Sequence, residues 1–135
     1  MRIELNPLYE PVEIPIGGSV LRFEGDFRDS TLERASAEIR RAEGKVADIK
    51  QRIERTGDET EKDAEEAAAC LRPLIGIILG ENAADEICEA AACGRTVVER
   101  DKLFTLMLVW AGLVEEIHRR TKPLREVRMA EYLND

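Results

Sequence analysis

Between residues 32 and 53, apolar side chains recur at alternating steps of three and four: Leu32, Ala35, Ile39, Ala42, Val46, Ile49 and Ile53. That spacing predicts one helix with a single apolar stripe on a charged body. "RDSTLERA" predicts its start, with Ser30 as the cap and Glu33, three residues on, completing a capping box. Gly57 predicts its C-cap, and Asp58 or Thr60 predicts the start of a second helix. The second helix carries Ala64, Ala67, Ala68, Leu71, Leu74, Ile75 and Ile78 at helical spacing, and ends at Gly80. Pro73 predicts a kink or a break near Arg72. A short helix over "AADEICEAA" stops at Gly94. A last long helix runs from about Val98 to Arg120, and Pro123 predicts a bend after it. Beyond it, "LREVRMAEYL" forms a final helical turn or a separate short helix.

Residues 1–29 follow a different rhythm. "VEIPI" alternates, with Val12, Ile14 and Ile16 on one side, and Gly17-Gly18 suits a tight hairpin turn before "VLRFEGDF". Pro11 and Pro15 suit an edge strand, where a missing N–H does no harm. A lone hairpin is marginal and must lie on apolar helices. The predicted fold is mainly α with a small N-terminal β-hairpin (α+β). It comprises a hairpin segment over 1–29 and a helical domain over 30–135, one structural unit overall. Within it, an antiparallel helical hairpin and further helices pack as a small bundle. The first stripe has two ways to be covered: by the second helix in the same chain, or by another chain in a coiled coil. The short linker favours the first, and about three heptads is short for the second. Gly44 weakens that helix by roughly 1 kcal/mol relative to alanine, which also argues for tertiary support.

Composition narrows the class. The chain has 135 residues, 44% hydrophobic and 36% charged, a balance that suits one folded domain. Ala, Glu, Lys, Leu and Arg supply about half of it, as long helices do. Aromatic content is 4%, so the core must be aliphatic and alanine-rich. A net charge of −8 disfavours nucleic acid and suits solubility or a basic partner. "MRIELNPLYEP" has no apolar signal region, and "LFTLMLVWAGLV" falls well short of the ~20 residues that span a bilayer. Cys70, Cys88 and Cys93 form no disulfide framework and read as buried thiols among alanines and leucines. These features predict a reduced, cytoplasmic protein without a membrane segment.

Candidate chemistry is sparse. Glu115 and His118 make one Glu-x-x-His element, but a di-iron bundle needs two, and His118 is the sole histidine. Cys88 and Cys93 have the wrong spacing for a zinc knuckle. Gly17-Gly18 lacks the Gly-Lys-Ser/Thr and the helix of a phosphate loop. No catalytic, metal or cofactor residue is assigned, and no cofactor is expected. The acidic run Asp58, Glu59, Glu61, Asp63, Glu65 and Glu66 matches a helix dipole, or serves as an acidic docking patch. The basic run Arg119, Arg120, Lys122, Arg125 and Arg128 does the same at a C-terminus, or pairs with that acidic run.

The last long helix has more apolar residues than one face needs. Leu103, Leu106, Met107, Trp110, Leu113, Val114 and Ile117 make a core face, while Phe104, Leu108 and Ala111 lie on a second face. Such a helix is either buried centrally or carries a binding surface. Phe104, Leu108 and Ala111 are therefore the candidate protein-binding face.

The layout resembles the tail assembly chaperones and small tail-region proteins of long-tailed phages and prophages. The matching stretches are "VEIPIGGSVLRFEGDF", "DSTLERASAEIRRAE" and "LIGIILGENAADEICEAAACGRT". Within them, Leu79-Gly80-Glu81 and Gly94-Arg95-Thr96 occupy the characteristic turns before and after a short helix, ahead of an apolar last helix. The resemblance covers about residues 12–118 and is one of layout; the tail "TKPLREVRMAEYLND" continues beyond it. It implies a non-enzymatic protein that shields an apolar helical tape-measure protein until tail-tube subunits replace it. It also implies self-association, with no cofactor. The alternative function is a bacterial adaptor or regulator acting through the helical hairpin.

Overall fold

The computed structural model describes the backbone of residues 1–133 and the side chains of residues 1–123. Two antiparallel strands, β1 (Tyr9–Ile16) and β2 (Ser19–Asp26), precede four helices: α1 (Asp29–Thr56), α2 (Glu61–Leu79), α3 (Ala83–Ala92) and α4 (Glu99–Leu133). The α+β class read from the sequence is thus the observed one.

Gly17 turns the hairpin with φ 59°, the left-handed backbone a two-residue turn requires, and Ile16 faces Ser19 across it. Phe27 donates its N–H to the Leu8 carbonyl at 2.8 Å, in register with the ladder. Alternate residues from there, Glu10, Val12, Ile14 and Ile16, therefore turn their N–H and C=O groups toward β2. Tyr9, Pro11, Glu13 and Pro15 turn theirs to the outer edge. Both prolines thus sit where a missing N–H breaks no hydrogen bond. Val12, Ile14, Ile16, Leu21 and Phe23 lie on the inner face and pack, half-buried, against the helical core.

α1 starts one step before its expected cap. Ser30 lies inside the helix, Arg28 occupies the cap position without a side-chain cap bond, and the Ser30–Glu33 box does not form. The preceding turn explains the shift. Asp26 accepts from the Arg28 backbone N–H at 3.2 Å and from its guanidinium at 3.0 and 2.8 Å. The Arg28 guanidinium holds the Asp26 carboxyl well below the usual carboxylate range. This contact fixes the chain direction, so the helix begins at Asp29.

The end of α1 follows the sequence. Gly57 adopts φ 77° and donates its N–H to the Ile53 carbonyl at 2.7 Å. Thr60 and Asp63 then close a capping box on α2, with both bonds 3.1 Å long. The short connection sends α2 back along α1, an antiparallel pair within one chain. Gly57→Val should lower stability by about 1–2 kcal/mol, because a β-branched residue resists the left-handed conformation; a shifted urea midpoint with an unchanged slope would show it.

Neither proline breaks its helix. α2 runs unbroken through Pro73, and α4 runs through Pro123 to Leu133, taking "LREVRMAEYL" with it. Pro73 is exposed, while Leu74, Ile75, Ile78 and Leu79 around it are buried. Their burial outweighs the single backbone bond the ring removes. The fully buried Ile75, Ile78, Ile87 and Leu106 form the centre of the core, flanked by Ala35, Ala64, Ala68, Ala83 and Ala84, whose small side chains let the helices approach. Of the α1 stripe, only Ala35 and Ile49 are buried; the other five members are half-buried. Near the start of α1, Leu32 and Ile39 face Trp110, Val114 and Ile117 of α4 across a cleft of about 540 Å³.

The cysteines differ from their expected burial. Cys88 is buried, and burial pushes its thiol pKa up; Cys70 is half-buried. Cys93 is exposed, because it ends α3 in the left-handed conformation with φ 52°. Among the described residues, no single helix is long and apolar enough to cross a membrane.

Candidate protein-binding face

α4 packs chiefly on α2, the central helix, and its sides differ sharply. Leu103, Leu106 and Leu113 enter the core, while Val109, Trp110, Val114 and Ile117 are half-buried beside it. The opposite side carries Phe104, Met107, Leu108 and Ala111, all exposed. Leu108 is the extreme case, with 77% of its surface open. Met107 was expected in the core face, but at 47% exposure it belongs to the outward one. The four residues follow the i, i+3, i+4, i+7 spacing of one helix stripe. Arg100 stacks over the Phe104 ring at 5.4 Å and screens one end of that stripe.

Leu108 also borders a cleft of about 700 Å³ between α4 and β1. Its walls are largely apolar, with Val12, Ile14 and Ile16 from the hairpin and Val109 and Leu113 from α4. Gly112, on the α4 wall, meets no atom within 4 Å at its Cβ position, so the wall is low there. An outward apolar stripe therefore continues into an open trough of the same character.

The trough is held at one end by Arg120. Its side chain is only 6% exposed. The guanidinium stacks on Phe27 at 4.2 Å, donates to the Pro7 carbonyl at 2.7 Å and to Glu116 at 2.8 Å, and pairs with Glu10. Arg119 and then Arg120 hold the Glu116 carboxyl below the usual carboxylate range, outweighing burial. Arg119 and Arg120 were expected to match the helix dipole or meet the acidic start of α2. Instead they bind Glu116, and Arg120 also binds the base of the hairpin. Arg125 and Arg128 lie outside the described side chains.

Half of the acidic run serves internal structure. Asp63 and Glu66 receive Arg52 of α1, and Glu61 accepts the Glu99 N–H at 3.0 Å, which caps α4. That leaves Asp58, Glu59 and Glu65 exposed. Glu115 and His118 are both exposed, and no three His, Cys, Asp or Glu side chains gather as a metal-binding group among the described residues.

Sequence reading missed Met107, the trough and the Arg120 clamp. A wheel of α4 alone would have grouped Met107 with Phe104 and Leu108. Neither the trough nor the clamp has a local signal. No protein-family model, curated protein or solved structure matches the chain.

Proposed function

We propose that the chain is a non-enzymatic protein-interaction module that seats an apolar helical segment of a client protein along α4. A phage or prophage tail assembly chaperone that shields a tape-measure protein is the specific form we favour. One observation carries the reading: Phe104, Met107, Leu108 and Ala111 form an exposed apolar stripe beside an apolar trough. A monomer that had no use for such a stripe would bear solubility costs for nothing gained. A helix laid there meets apolar side chains at i, i+3, i+4 and i+7, the pattern of helix-in-groove recognition. The net charge of −8 keeps the chaperone itself dispersed while it covers a greasy client. The phage assignment rests on the resemblance in layout, to which the Leu79-Gly80-Glu81 and Gly94-Arg95-Thr96 turns belong. Gly80 and Gly94 take φ 112° and 76° in them, conformations that favour glycine.

The test is a double substitution, Phe104→Ser with Leu108→Asn. Both side chains are exposed, so the melting temperature should fall by no more than about 3 °C. Binding of a fluorophore-labelled amphipathic helical peptide should weaken by about tenfold or more, as two apolar anchors are lost. Unchanged peptide binding, or loss of the fold, would refute the assignment of this face. Co-expression with a tape-measure protein then examines the phage reading: wild type should keep it soluble and the double variant should not.

A further inference from the structure

The hairpin has two outer edges, and they are not alike. On β1, Pro11 and Pro15 remove two of the four outward N–H groups, and this edge borders the trough beside α4. On β2, the outward groups belong to Val20, Arg22, Glu24 and Asp26, with no proline among them. Among the described residues, no backbone partner meets those four, and no side chain bonds the backbone of Val20, Arg22 or Glu24. Val20, Arg22 and Glu24 are exposed. An open strand edge of this kind is a template for another strand.

We propose that two copies of this chain join through the outer edges of β2, forming a four-stranded antiparallel sheet about a twofold axis at Phe23. Charge pattern selects the occupant and the register. With the axis at Phe23, Arg22 lies directly opposite Glu24 of the partner subunit, and Glu24 opposite the partner's Arg22. All four outward residues of each strand are then paired. A two-residue slip in one direction sets Arg22 against its own copy, and a slip in the other sets Glu24 against its own copy. Like charges directly opposite are disfavoured, and opposite charges are favoured. The strand is thus complementary to itself with the axis at Phe23. Each neighbouring register sets one like-charged pair face to face, and the register that opposes Arg22 to Asp26 of the partner subunit draws on a carboxylate that Arg28 already binds. On the inner face, Phe23 meets the partner's Phe23 at the close, non-hydrogen-bonded position, and the half-buried ring is available for it. Arg22 already lies 3.4 Å from Glu13 in its own hairpin, but both side chains are more than half exposed, so that pair constrains it little. β1 separates this edge from the trough, so dimerisation leaves both client faces open. The proposal does not depend on the client reading.

Sedimentation equilibrium of the full chain gives the test. Wild type should be dimeric, and Arg22→Glu or Glu24→Arg alone should weaken the dimer by about tenfold or more, since each replaces two attractive pairs with two repulsive ones. Both sites are exposed, so circular dichroism spectra should be unchanged, and the melts should fall only by the small amount that weaker association accounts for. Mixing the two single variants should restore a dimer, because one then carries two acidic and the other two basic residues at the paired positions. The double variant, Arg22→Glu with Glu24→Arg, should dimerise like wild type. A monomeric wild type, a dimer indifferent to either reversal, or no rescue on mixing would overturn the proposal.

Discussion

Arg120→Ala is expected to lower stability by about 3 kcal/mol and the melting temperature by about 10 °C. The side chain is almost wholly covered, and four partners lose it at once: Phe27, Pro7, Glu10 and Glu116. A hydrogen bond to a charged group contributes about 1.5–3 kcal/mol, and a desolvated cation over an aromatic ring about 2 kcal/mol. Glu10 and Glu116 retain solvent contact, which limits the loss to less than that of a fully buried pair. Arg120→Lys should recover part of the loss, since an ammonium keeps the charge but cannot stack flat and donate to three partners. Acid should expose the same contact. Glu116 has its carboxyl pKa depressed, so its contribution is complete above about pH 4.3 and fades as pH falls through the lower folded value. The alanine variant should therefore lose less stability than wild type on acidification, although Arg119 preserves some of the effect. Thermal melts from neutral to about pH 3 measure both quantities.

Gly25→Val should cost about 2–3 kcal/mol, through crowding rather than a lost contact. A methyl group at this position would lie 2.5 Å from the Phe27 ring, 2.9 Å from Val12 and 3.0 Å from the Glu10 carbonyl. The third neighbour is backbone and cannot rotate away. The ring can move only by leaving its place under Arg120. The valine change should thus loosen the clamp and speed hydrogen exchange along β1 and β2, while α2 and α3 keep their protection. Gly25→Ala should do the same more weakly. Combined with Arg120→Ala, it should add less than its single effect, because both changes act on the same ring. Full additivity would mean that Gly25 and Arg120 do not communicate through Phe27.

What the sequence revealed and what it hid divide by range. The Gly57 cap, the Thr60 start of α2, the turn at Gly17-Gly18 and the pairing of α1 with α2 rest on neighbouring residues or one short connection, and each was legible. The Ser30 box had the right letters in the wrong place, since an Asp26–Arg28 contact just upstream set the helix start. Pro73 suggested a kink or a break and Pro123 a bend, yet a tertiary core keeps α2 unbroken through the first. On the outward side of α4, Phe104, Leu108 and Ala111 stood out as surplus apolar positions. Met107 was absorbed into the core stripe beside Leu103 and Leu106, although its spacing of three from Phe104 places it equally on the outward stripe. Arg120 was least legible. It looked like one cation in a basic run, and its partner Glu10 lies 110 positions away.

That separation also orders events on the ribosome. At synthesis rates of about 5–20 residues per second, Glu10 is made roughly 5–20 s before Arg120 exists to meet it. Through that interval Val12 and Ile14 have no α4 wall across from them. Pro11 and Pro15 guard one side of the nascent hairpin during the wait, and the side they guard will later border the trough. A chain halted before Arg120 would carry the hairpin without its fastening, which makes arrested or truncated products of this gene natural clients for general chaperones.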